Sequence, residues 1–363
     1  MKALTITCHD VYNVGASLQA YALCKYLNNL GIETKIIDYK PDYLSGHYSL
    51  MSVSNPIYDK PLIRQTYLAA KLPSRLRALK RKRKFDVFRE QYLPITTRYS
   101  SLDELKSNPP PADIYFAGSD QIWNPLFPNG KDKAFFLDFV KSGIKASYAA
   151  SFACDNIPDD LIEHYKTSLA NLDYISVREK SAVRILENLG YQGERVLDPV
   201  FLLEKSSWDE IAVEEDHEPY LFLYDFDGNE EITRIAKRIA KEKNLKIYSL
   251  FKSDFADKTF EFMCPREFVG IIKNADFVIS NSFHATAFSV IYKKEFAVIN
   301  RKQAINTRMR DLLADLGLSD RLIIDVDNAS SEPIDYDLVC NKLNELQASS
   351  KNYIDKVIKN DGK

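Results

Sequence analysis

A histidine follows a buried strand in the stretch VISNSFHATAFSVIY, at the point where a helix begins. Ser282 is a favourable residue for a helix N-cap, which puts His284 in the first helical turn. The backbone N–H groups of that turn are unpaired and the helix dipole is positive, so a phosphate or carboxylate is favoured there. We therefore predict that Asn281, Ser282 and His284 bind an anion and that the imidazole transfers a proton. The alternative is a histidine that caps its own loop.

Arg178 stands just past another predicted strand, in ISVREKSA. Its guanidinium can hold a carboxylate or a phosphate through two parallel hydrogen bonds. The alternative is an ion pair with Glu179 or with another surface acid, and such pairs are common and contribute little to stability.

Small polar residues follow a third strand, in FAGSDQIWNP. Ser119, Asp120, Gln121 and Trp123 suit the recognition of a sugar, because its hydroxyls bind polar groups and its faces pack on aromatic rings. The alternative is an ordinary loop in which Asp120 caps a turn.

The turn after the first strand, in HDVYNVGASLQAYAL, contains Asn13 and Gly15. Gly15 permits close approach of a ligand to the backbone, and the next helix is expected to start near Ala16. The turn has no GxGxxG, so the dinucleotide fingerprint is missing. We expect Asn13 and Gln19 to orient groups rather than to react, and the alternative role for Gln19 is packing.

Three more residues complete the candidates. Arg301 and Arg308 follow the predicted strand FAVIN, and they face the same rim if that strand lies in the sheet as predicted. His9, beside Asp10, is a second acid–base candidate. It ranks below His284 because no helix end supports it.

Strands and helices alternate along the chain, which predicts an α/β fold with parallel sheets. A polar stretch, EKSSWDEIAVEEDHEP, marks the predicted domain boundary, and the alternation restarts after it with YLFLYDF. We predict two Rossmann-like, doubly wound domains that face each other across a cleft. Residues 1–204 are the predicted acceptor side and residues 219–330 the predicted donor side. A last helix at about 335–358, within residues 331–363, is expected to pack back on the first domain.

The bulk composition limits the class of protein. The chain has 363 residues, 45% of them hydrophobic, and its net charge of −2 argues against a general nucleic-acid binder. Five scattered cysteines without a CxxC pair indicate a reducing cytoplasm and give no metal signature. No run of 18 apolar residues and no secretory signal is present, so we expect a cytoplasmic protein.

Residues 45–100 interrupt the alternation. The stretch YKPDYLSGHYSLMSVSNP is typical of a mobile loop, and a basic helical insertion is predicted at about residues 60–92. Nine lysines and arginines lie between Lys71 and Arg89, against one acid, Asp86. The segment is either a solvated basic helix or a surface that attracts anionic lipid headgroups or a lipid-linked pyrophosphate. Nucleic acid is a poor third interpretation, because no nucleic-acid module accompanies the segment.

Six motifs occur in an order that resembles the polysaccharide pyruvyl transferase family: NVGASLQAYAL, AGSDQIWNP, SYAASF, SVREKSA, LDPVFLL and SNSFHATAFSVIY. The resemblance runs from Asn13 to about Leu316, and it implies a GT-B-type fold. It also implies transfer of a pyruvyl group from phosphoenolpyruvate to two hydroxyls of one sugar, which forms a cyclic ketal in bacterial surface polysaccharides. The family histidine falls on His284 and the family arginine on Arg178. Many members have a His-Gly pair where this chain has His284-Ala285, which leaves less room for close backbone approach.

That chemistry requires cations for two anionic groups, an acid that protonates carbon and a base for the sugar hydroxyls. We assign the cations to Arg178 and the helix end at His284, with Arg301 and Arg308 in reserve. His284 is the predicted proton donor, with a pKa raised by a neighbouring anion. Asp120 is the predicted base or sugar ligand. No metal or nucleotide cofactor is chemically required.

The resemblance suggests galactose as the acceptor sugar, free or lipid-linked, and leaves the position of the ketal open. Two alternatives remain at this stage. One is a glycosyltransferase of the GT-B type that uses a nucleotide-sugar donor. The other is a non-catalytic polysaccharide-binding protein, which would not need His284 and Arg178 close together.

Overall fold

The computed structural model describes residues 1–45, 53, 60–301, 306–323 and 333–360. A first parallel sheet has the order β3-β2-β1-β4-β5. Its strands are β1 (Lys2–Ile6), β2 (Glu33–Tyr39), β3 (Ile95–Tyr99), β4 (Ile114–Ala117) and β5 (Ile144–Ser147). Two short parallel strands, β6 (Ser176–Val177) and β7 (Glu194–Arg195), extend it through isolated bridges at Ala146–Tyr174 and Ala150–Val177.

A second parallel sheet has the order β10-β9-β8-β11-β12-β13. Its strands are β8 (Tyr220–Tyr224), β9 (Lys246–Ser249), β10 (Lys258–Thr259), β11 (Phe277–Ser280), β12 (Glu295–Ile299) and β13 (Leu322–Ile323). The central strands β8 and β11 are buried along their whole length, as expected for a parallel sheet that is covered on both faces. The prediction of two doubly wound α/β sheets is therefore confirmed.

Twelve α-helices are found in the described residues. They are α1 (Val14–Asn29), α2 (Asp42–Ser45), α3 (Pro61–Tyr92), α4 (Leu102–Ser107), α5 (Ile162–Leu169), α6 (Lys180–Asn188), α7 (Lys205–Asp209), α8 (Glu230–Lys243), α9 (Pro265–Asn274), α10 (Phe283–Ile291), α11 (Thr307–Leu316) and α12 (Tyr336–Lys359). Within these residues, no helix combines the length and the apolar character needed to cross a lipid bilayer.

Both sheets have a point where the strand order reverses. In the first sheet it lies between β1 and β4, and in the second between β8 and β11. Ligands of open α/β sheets bind in the crevice beyond the carboxyl ends of such strand pairs. The loops that follow these four strands are therefore the expected place of a ligand site, and they carry most of the predicted site residues.

Helix α1 joins the two halves of the molecule. It is buried from Val14 to Cys24, which explains why its sequence is apolar on almost every side. Tyr21 packs on Trp208 with 5.7 Å between ring centroids, and Trp208 packs on Phe288 of α10 at 4.8 Å. The helix that begins at the first switch point thus shares one apolar core with the helix that begins at the second.

Helix α3 has two different halves. Near its end, Phe85 and Phe88 are buried, and Phe88 contacts Tyr21 of α1. Towards its start, Ile63, Leu72 and Leu76 are exposed apolar residues. The predicted mobile loop lies mainly in residues 46–52 and 54–59, which are outside the described residues.

The last helix packs against the first sheet. Tyr353, Ile354 and Val357 of α12 are buried in one apolar cluster with Ala3 and Leu23. The hydroxyl of Tyr353 also donates to the backbone oxygen of Ser147, at 2.8 Å. The proposed domain bounds remain 1–204 and 219–330, because these ranges enclose the first and the second sheet. Helix α12 lies outside both ranges and packs against the first sheet.

Candidate active site

The loops at the two switch points meet around a small pocket of about 80 Å³. Its wall includes eight of the predicted site residues, which are Asn13, Asp120, Gln121, Asn281, Ser282, His284, Arg301 and Arg308. Gly15 contacts His284 and Arg178 lies beside Asp120, both of which line the pocket, whereas Ser119 donates to Asp198 behind the wall. The structure therefore gathers most of the predicted residues around one pocket, although the roles of several side chains differ from the prediction.

His284 occupies the first turn of α10, as predicted. Ser282 is the N-cap, and its Oγ accepts a hydrogen bond from the backbone N–H of Ala285 at 3.5 Å. The imidazole is 6% exposed and lies against the backbone of Gly15, where a Cβ would stand 1.9 Å from Nδ1. The prediction that Gly15 leaves room for a ligand is therefore wrong, because the imidazole of His284 fills that space.

Arg178 is buried among three carboxylates. Its Nη1 donates to Oδ2 of Asp198, its Nη2 lies 3.7 Å from Oδ1 of Asp120, and its Nε lies 3.9 Å from Oε2 of Glu179. Burial alone would lower the pKa of Arg178, but the three carboxylates raise it above its ordinary value. Arg178 thus forms ion pairs, one of them with Glu179, but these pairs are buried, whereas the alternative interpretation placed them at the surface.

Asp198 connects Arg178 with His284. It caps a short 3₁₀ turn, where its Oδ1 accepts from the backbone N–H of Val200 at 3.1 Å. Its Oδ2 accepts from Arg178 and from Oγ of Ser119, and lies 3.7 Å from Nε2 of His284. Asp198 was not among the predicted site residues, although this aspartate lies in the motif LDPVFLL. Ser119 is fully buried and positions this carboxylate, which leaves it no direct contact with the pocket.

Asp120 is held between two guanidinium groups. Its Oδ1 lies 3.4 Å from Nη1 of Arg308 and 3.7 Å from Nη2 of Arg178. Burial alone would raise the pKa of Asp120, but Arg178 and Arg308 lower it below its usual range, so this group is a carboxylate at neutral pH. Its φ of +73° is in the left-handed region, a conformation that costs free energy for a non-glycine residue and is often found at functional sites.

The pKa of His284 differs from the prediction. Burial lowers it to about 4; Asp198 and Asp120 raise it, but Arg178 and Arg308 offset them. The expectation of a raised pKa is therefore wrong for the free protein, in which the imidazole is neutral. For the same reasons, burial and the charge of Arg178 lower the pKa of Arg308 to about 10.

Several cationic and imidazole nitrogens around the pocket lack a hydrogen-bond partner among the described residues. They are Nε and Nη2 of Arg178, Nε of Arg301, Nε of Arg308 and Nε2 of His284. Buried donors are normally paired in proteins, and each unpaired one costs free energy. Their concentration beside one pocket indicates a site built for an acceptor-rich, negatively charged ligand.

Asn281 and Arg301 organise the loop after β8. The Oδ1 of Asn281 accepts from the backbone N–H of Phe226 at 3.0 Å, and its Nδ2 donates to Oδ1 of Asp225 at 2.7 Å. Arg301 Nη2 donates to Oδ1 of Asp227 at 3.3 Å, and its guanidinium lies 4.7 Å from the centroid of the Phe226 ring. Both side chains line the pocket while they also fix its wall.

The first-domain loop is less available to a sugar than predicted. Trp123 is fully buried and stacks on Phe136 at 5.3 Å, so it is not a sugar platform. The Oε1 of Gln121 accepts from Nδ2 of Asn124 at 2.6 Å, and Asn13 caps α1 by accepting from the N–H of Gly15 at 2.9 Å. These contacts shape the loops, and Gln121 and Asn13 still line the pocket.

His9 and Gln19 lie outside the pocket wall. His9 Nε2 stands 3.3 Å from Oδ1 of Asp38, and both side chains are buried. Gln19 Nε2 donates to Oγ1 of Thr7 at 3.0 Å, which supports the loop after β1. In the described part of the chain, no three His, Cys, Asp or Glu side chains are grouped as a metal site requires.

The two facing parallel sheets and the pocket between them define a GT-B fold. Similar solved structures include a UDP-GlcNAc 2-epimerase from Neisseria meningitidis, bound to UDP-GlcNAc, with 11% identity, a TM-score of 0.52 and coverage of 99% of this chain and 100% of that one. A UDP-N-acetylglucosamine 2-epimerase from Rickettsia bellii has 14% identity, a TM-score of 0.52 and coverage of 99% and 96%. At this identity the similarity shows the fold alone.

The family is shown by the sequence. The family model described as polysaccharide pyruvyl transferase matches residues 13–303, so this chain belongs to that family. Membership indicates a pyruvyl transferase enzyme and implies a sugar or polysaccharide acceptor. The comparison with curated proteins gives no match.

Proposed function

We propose that this protein transfers the pyruvyl group of phosphoenolpyruvate to two hydroxyls of a sugar, forms a cyclic ketal and releases phosphate. The observation that carries the proposal is a set of nitrogens that make no hydrogen bond to a described residue: those of Arg301, Arg308 and His284 line one pocket, and those of Arg178 lie just behind its wall. Phosphoenolpyruvate bears a carboxylate and a phosphate on three carbons, and bidentate guanidinium contacts suit both groups.

The reaction balances without an oxidant or a metal. A proton adds to the methylene carbon of phosphoenolpyruvate, and C2 becomes electrophilic. One sugar hydroxyl forms a C–O bond to C2. The second hydroxyl forms another C–O bond as the C2–O bond to phosphate breaks. One of the two hydroxyl protons balances the proton added to carbon, and the other leaves with phosphate.

His284 is the proposed proton donor. Its pKa of about 4 in the free protein keeps it neutral, but the pKa is depressed by burial and by two guanidinium groups. A bound donor adds negative charge beside the imidazole and offsets those guanidinium charges, which favours its protonated form. Binding of the donor would therefore load the acid with its proton. Asp198 is placed 3.7 Å from Nε2 to stabilise the resulting charge.

Arg178 and Arg308 are the proposed donor clamp, with Asp120 as the carboxylate that aligns them. Because its pKa is lowered, Asp120 is a weak base, and we propose that it orients the guanidinium groups or a sugar hydroxyl. Asn13, Gln121, Asn281, Ser282 and Arg301 complete the proposed substrate-binding wall.

The test is incubation with phosphoenolpyruvate and a panel of pyranoside acceptors that includes a galactoside. We expect acceptor-dependent release of phosphate and a product with a new pyruvyl methyl signal in its NMR spectrum. His284→Ala should lower turnover by about a hundredfold or more, the size typical of an acid–base residue. Leu338→Ala is the control, because Leu338 is an exposed apolar residue of α12. Release of a nucleoside diphosphate from a nucleotide sugar would instead favour the glycosyltransferase alternative.

We also propose that the acceptor is lipid-linked and that α3 contacts an anionic membrane surface from the cytoplasmic side. Lys84 and Arg77 pair with Glu267 and Glu261 of the second domain, so part of the basic segment is used internally. Three further cations of the segment, Lys71, Lys80 and Arg83, are exposed and form no ion pair with a described residue. Cations beside exposed apolar residues suit the headgroup region of a membrane.

A further inference from the structure

Two exposed phenylalanines lie beside the pocket: Phe226 lines it, and Phe251 contacts Phe226. Phe226 follows β8 and Phe251 follows β9, and their side chains are 36% and 38% exposed. Their ring centroids are 5.8 Å apart with 53° between the ring planes, so the two rings are in contact and tilted against each other. We call Phe226 and Phe251 the aromatic pair.

The aromatic pair is fixed to the site and is not a pair of loose loop residues. The backbone N–H of Phe226 donates to Asn281, which lies directly before the N-cap of α10. Tyr224, at the end of β8, contacts both rings, at 4.6 Å from Phe226 and 6.0 Å from Phe251. A ligand that packed on the pair would therefore be held at a fixed position relative to His284.

Polar groups stand beside the pair. The guanidinium of Arg301 lies 4.7 Å from the Phe226 centroid, and its Nε has no hydrogen-bond partner among the described residues. Asp227 adjoins Phe226 in sequence and contacts Arg301. Exposed rings flanked by a donor and a carboxylate match a pyranose, which offers C–H faces to rings and hydroxyls to polar groups.

We propose that the aromatic pair, together with Arg301, is the binding subsite for the pyranose ring of the acceptor. The inference rests on the proposed function, since it supplies the acceptor subsite of the same pocket. It replaces the sugar platform that the sequence placed at Trp123, whose ring is fully buried. A three-carbon donor has no ring to stack on the pair. The pair lies in the second domain, so this subsite departs from the prediction that the first domain is the acceptor side.

Variants of Phe226 and Phe251 test the subsite. Phe226→Ala and Phe251→Ala should each raise KM for the pyranoside acceptor about five- to tenfold, because one aromatic contact contributes roughly 1 kcal/mol. The KM for phosphoenolpyruvate should stay within about twofold, on the same scale of free energy. Phe251→Trp should retain acceptor affinity because it keeps an aromatic face. Leu338→Ala, which truncates an exposed apolar residue on α12, is the matched control.

Direct binding separates this inference from the proposed function. Trp123 and Trp208 are both fully buried, so the indole of Phe251→Trp is a reporter beside the pocket. We expect pyranosides to change its fluorescence in a saturable way even without phosphoenolpyruvate. Phe226→Ala in the same background should weaken that response.

The outcomes are distinct. Acceptor-dependent phosphate release with an unchanged acceptor KM in both alanine variants would overturn the subsite and leave the proposed function intact. Saturable pyranoside binding without phosphate release would support the subsite and contradict the proposed function. A fluorescence response to uridine diphosphate, with none to any pyranoside of the panel, would overturn the inference in favour of a nucleotide site.

Discussion

The imidazole of His284 rests on the Cα of Gly15, where a Cβ would stand only 1.9 Å from Nδ1. Gly15 belongs to the first turn of α1 and His284 to the first turn of α10. The contact therefore joins the switch points of the two sheets directly. Because glycine has no Cβ, the imidazole can lie directly against its backbone. This contact fixes the position of the imidazole relative to Asp198 and Asp120.

Gly15→Ala should inactivate the enzyme although alanine favours helices. The added methyl group must displace the imidazole, and a shift of about 1 Å at a reacting group can cost on the order of a hundredfold in rate. We expect kcat/KM to fall by about that factor while the circular dichroism spectrum stays native. A variant with wild-type kinetics would contradict the placement of His284 against Gly15.

A double-mutant cycle gives the control for that variant. Gly15→Ala should lower the Tm, and His284→Ala should remove the steric conflict. The Tm of the double variant should therefore exceed the value obtained by adding the two single effects. Additive effects on Tm would show that residues 15 and 284 are not in contact.

Donor binding should take up a proton. Free His284 has a pKa of about 4, so it is neutral near pH 7, and the added negative charge of the bound donor raises its pKa. Uptake is expected at pH values between the free and the bound pKa, and donor affinity should decline as pH rises through the bound pKa. Calorimetry of phosphoenolpyruvate binding in buffers of different ionisation enthalpy measures this uptake.

His284→Gln is the control for proton uptake, because glutamine cannot titrate in this range. The variant should bind phosphoenolpyruvate without the pH dependence assigned to residue 284. If the wild type and His284→Gln took up the same number of protons, the acid would be another group.

Arg178 should be needed for both stability and donor binding. Arg178→Met leaves Asp198 buried without its cation, and breaking such a pair costs about 3–5 kcal/mol of the free energy of unfolding. Asp198→Asn in that background should restore part of the stability in urea denaturation but none of the activity. Arg178→Lys keeps the charge and loses the planar fork, so KM for the donor should rise at least about tenfold. Full donor affinity in Arg178→Lys would disprove the clamp.

The loops that surround the candidate site could be predicted from two features of the sequence. Strand ends are visible from apolar runs, and polar residues just after them lie at the carboxyl edge of their own sheet, as Asp120 does in the first sheet and His284 in the second. The capping role of Ser282 was equally legible from residue type and was confirmed. The fold class followed from the alternation of elements and is confirmed by both sheets.

The remaining features depend on geometry that no local pattern carries. The contact between residues 15 and 284 arises only when the two domains meet, and so does the pairing of Arg308 with Asp120. The ring of Trp123 is fully buried and the backbone of Asp120 has a positive φ, and a polar loop sequence reveals neither feature. The lowered pKa of His284 likewise reflects burial and two guanidinium groups that arrive from distant segments.

The exposed cations of α3 should bind anionic membranes. Each lysine or arginine near an anionic surface contributes about 1 kcal/mol, so Lys71→Glu with Lys80→Glu should weaken binding to phosphatidylglycerol vesicles by about tenfold or more. Lys131→Glu with Lys141→Glu makes the same charge change at two exposed residues outside α3 and is the matched control. Sedimentation with phosphatidylglycerol vesicles and with neutral phosphatidylcholine vesicles, at low and high salt, measures the effect, because salt screens the attraction. Equal binding of the two variants, or binding that ignores vesicle charge, would mean that the basic segment serves only to join α3 to the second domain.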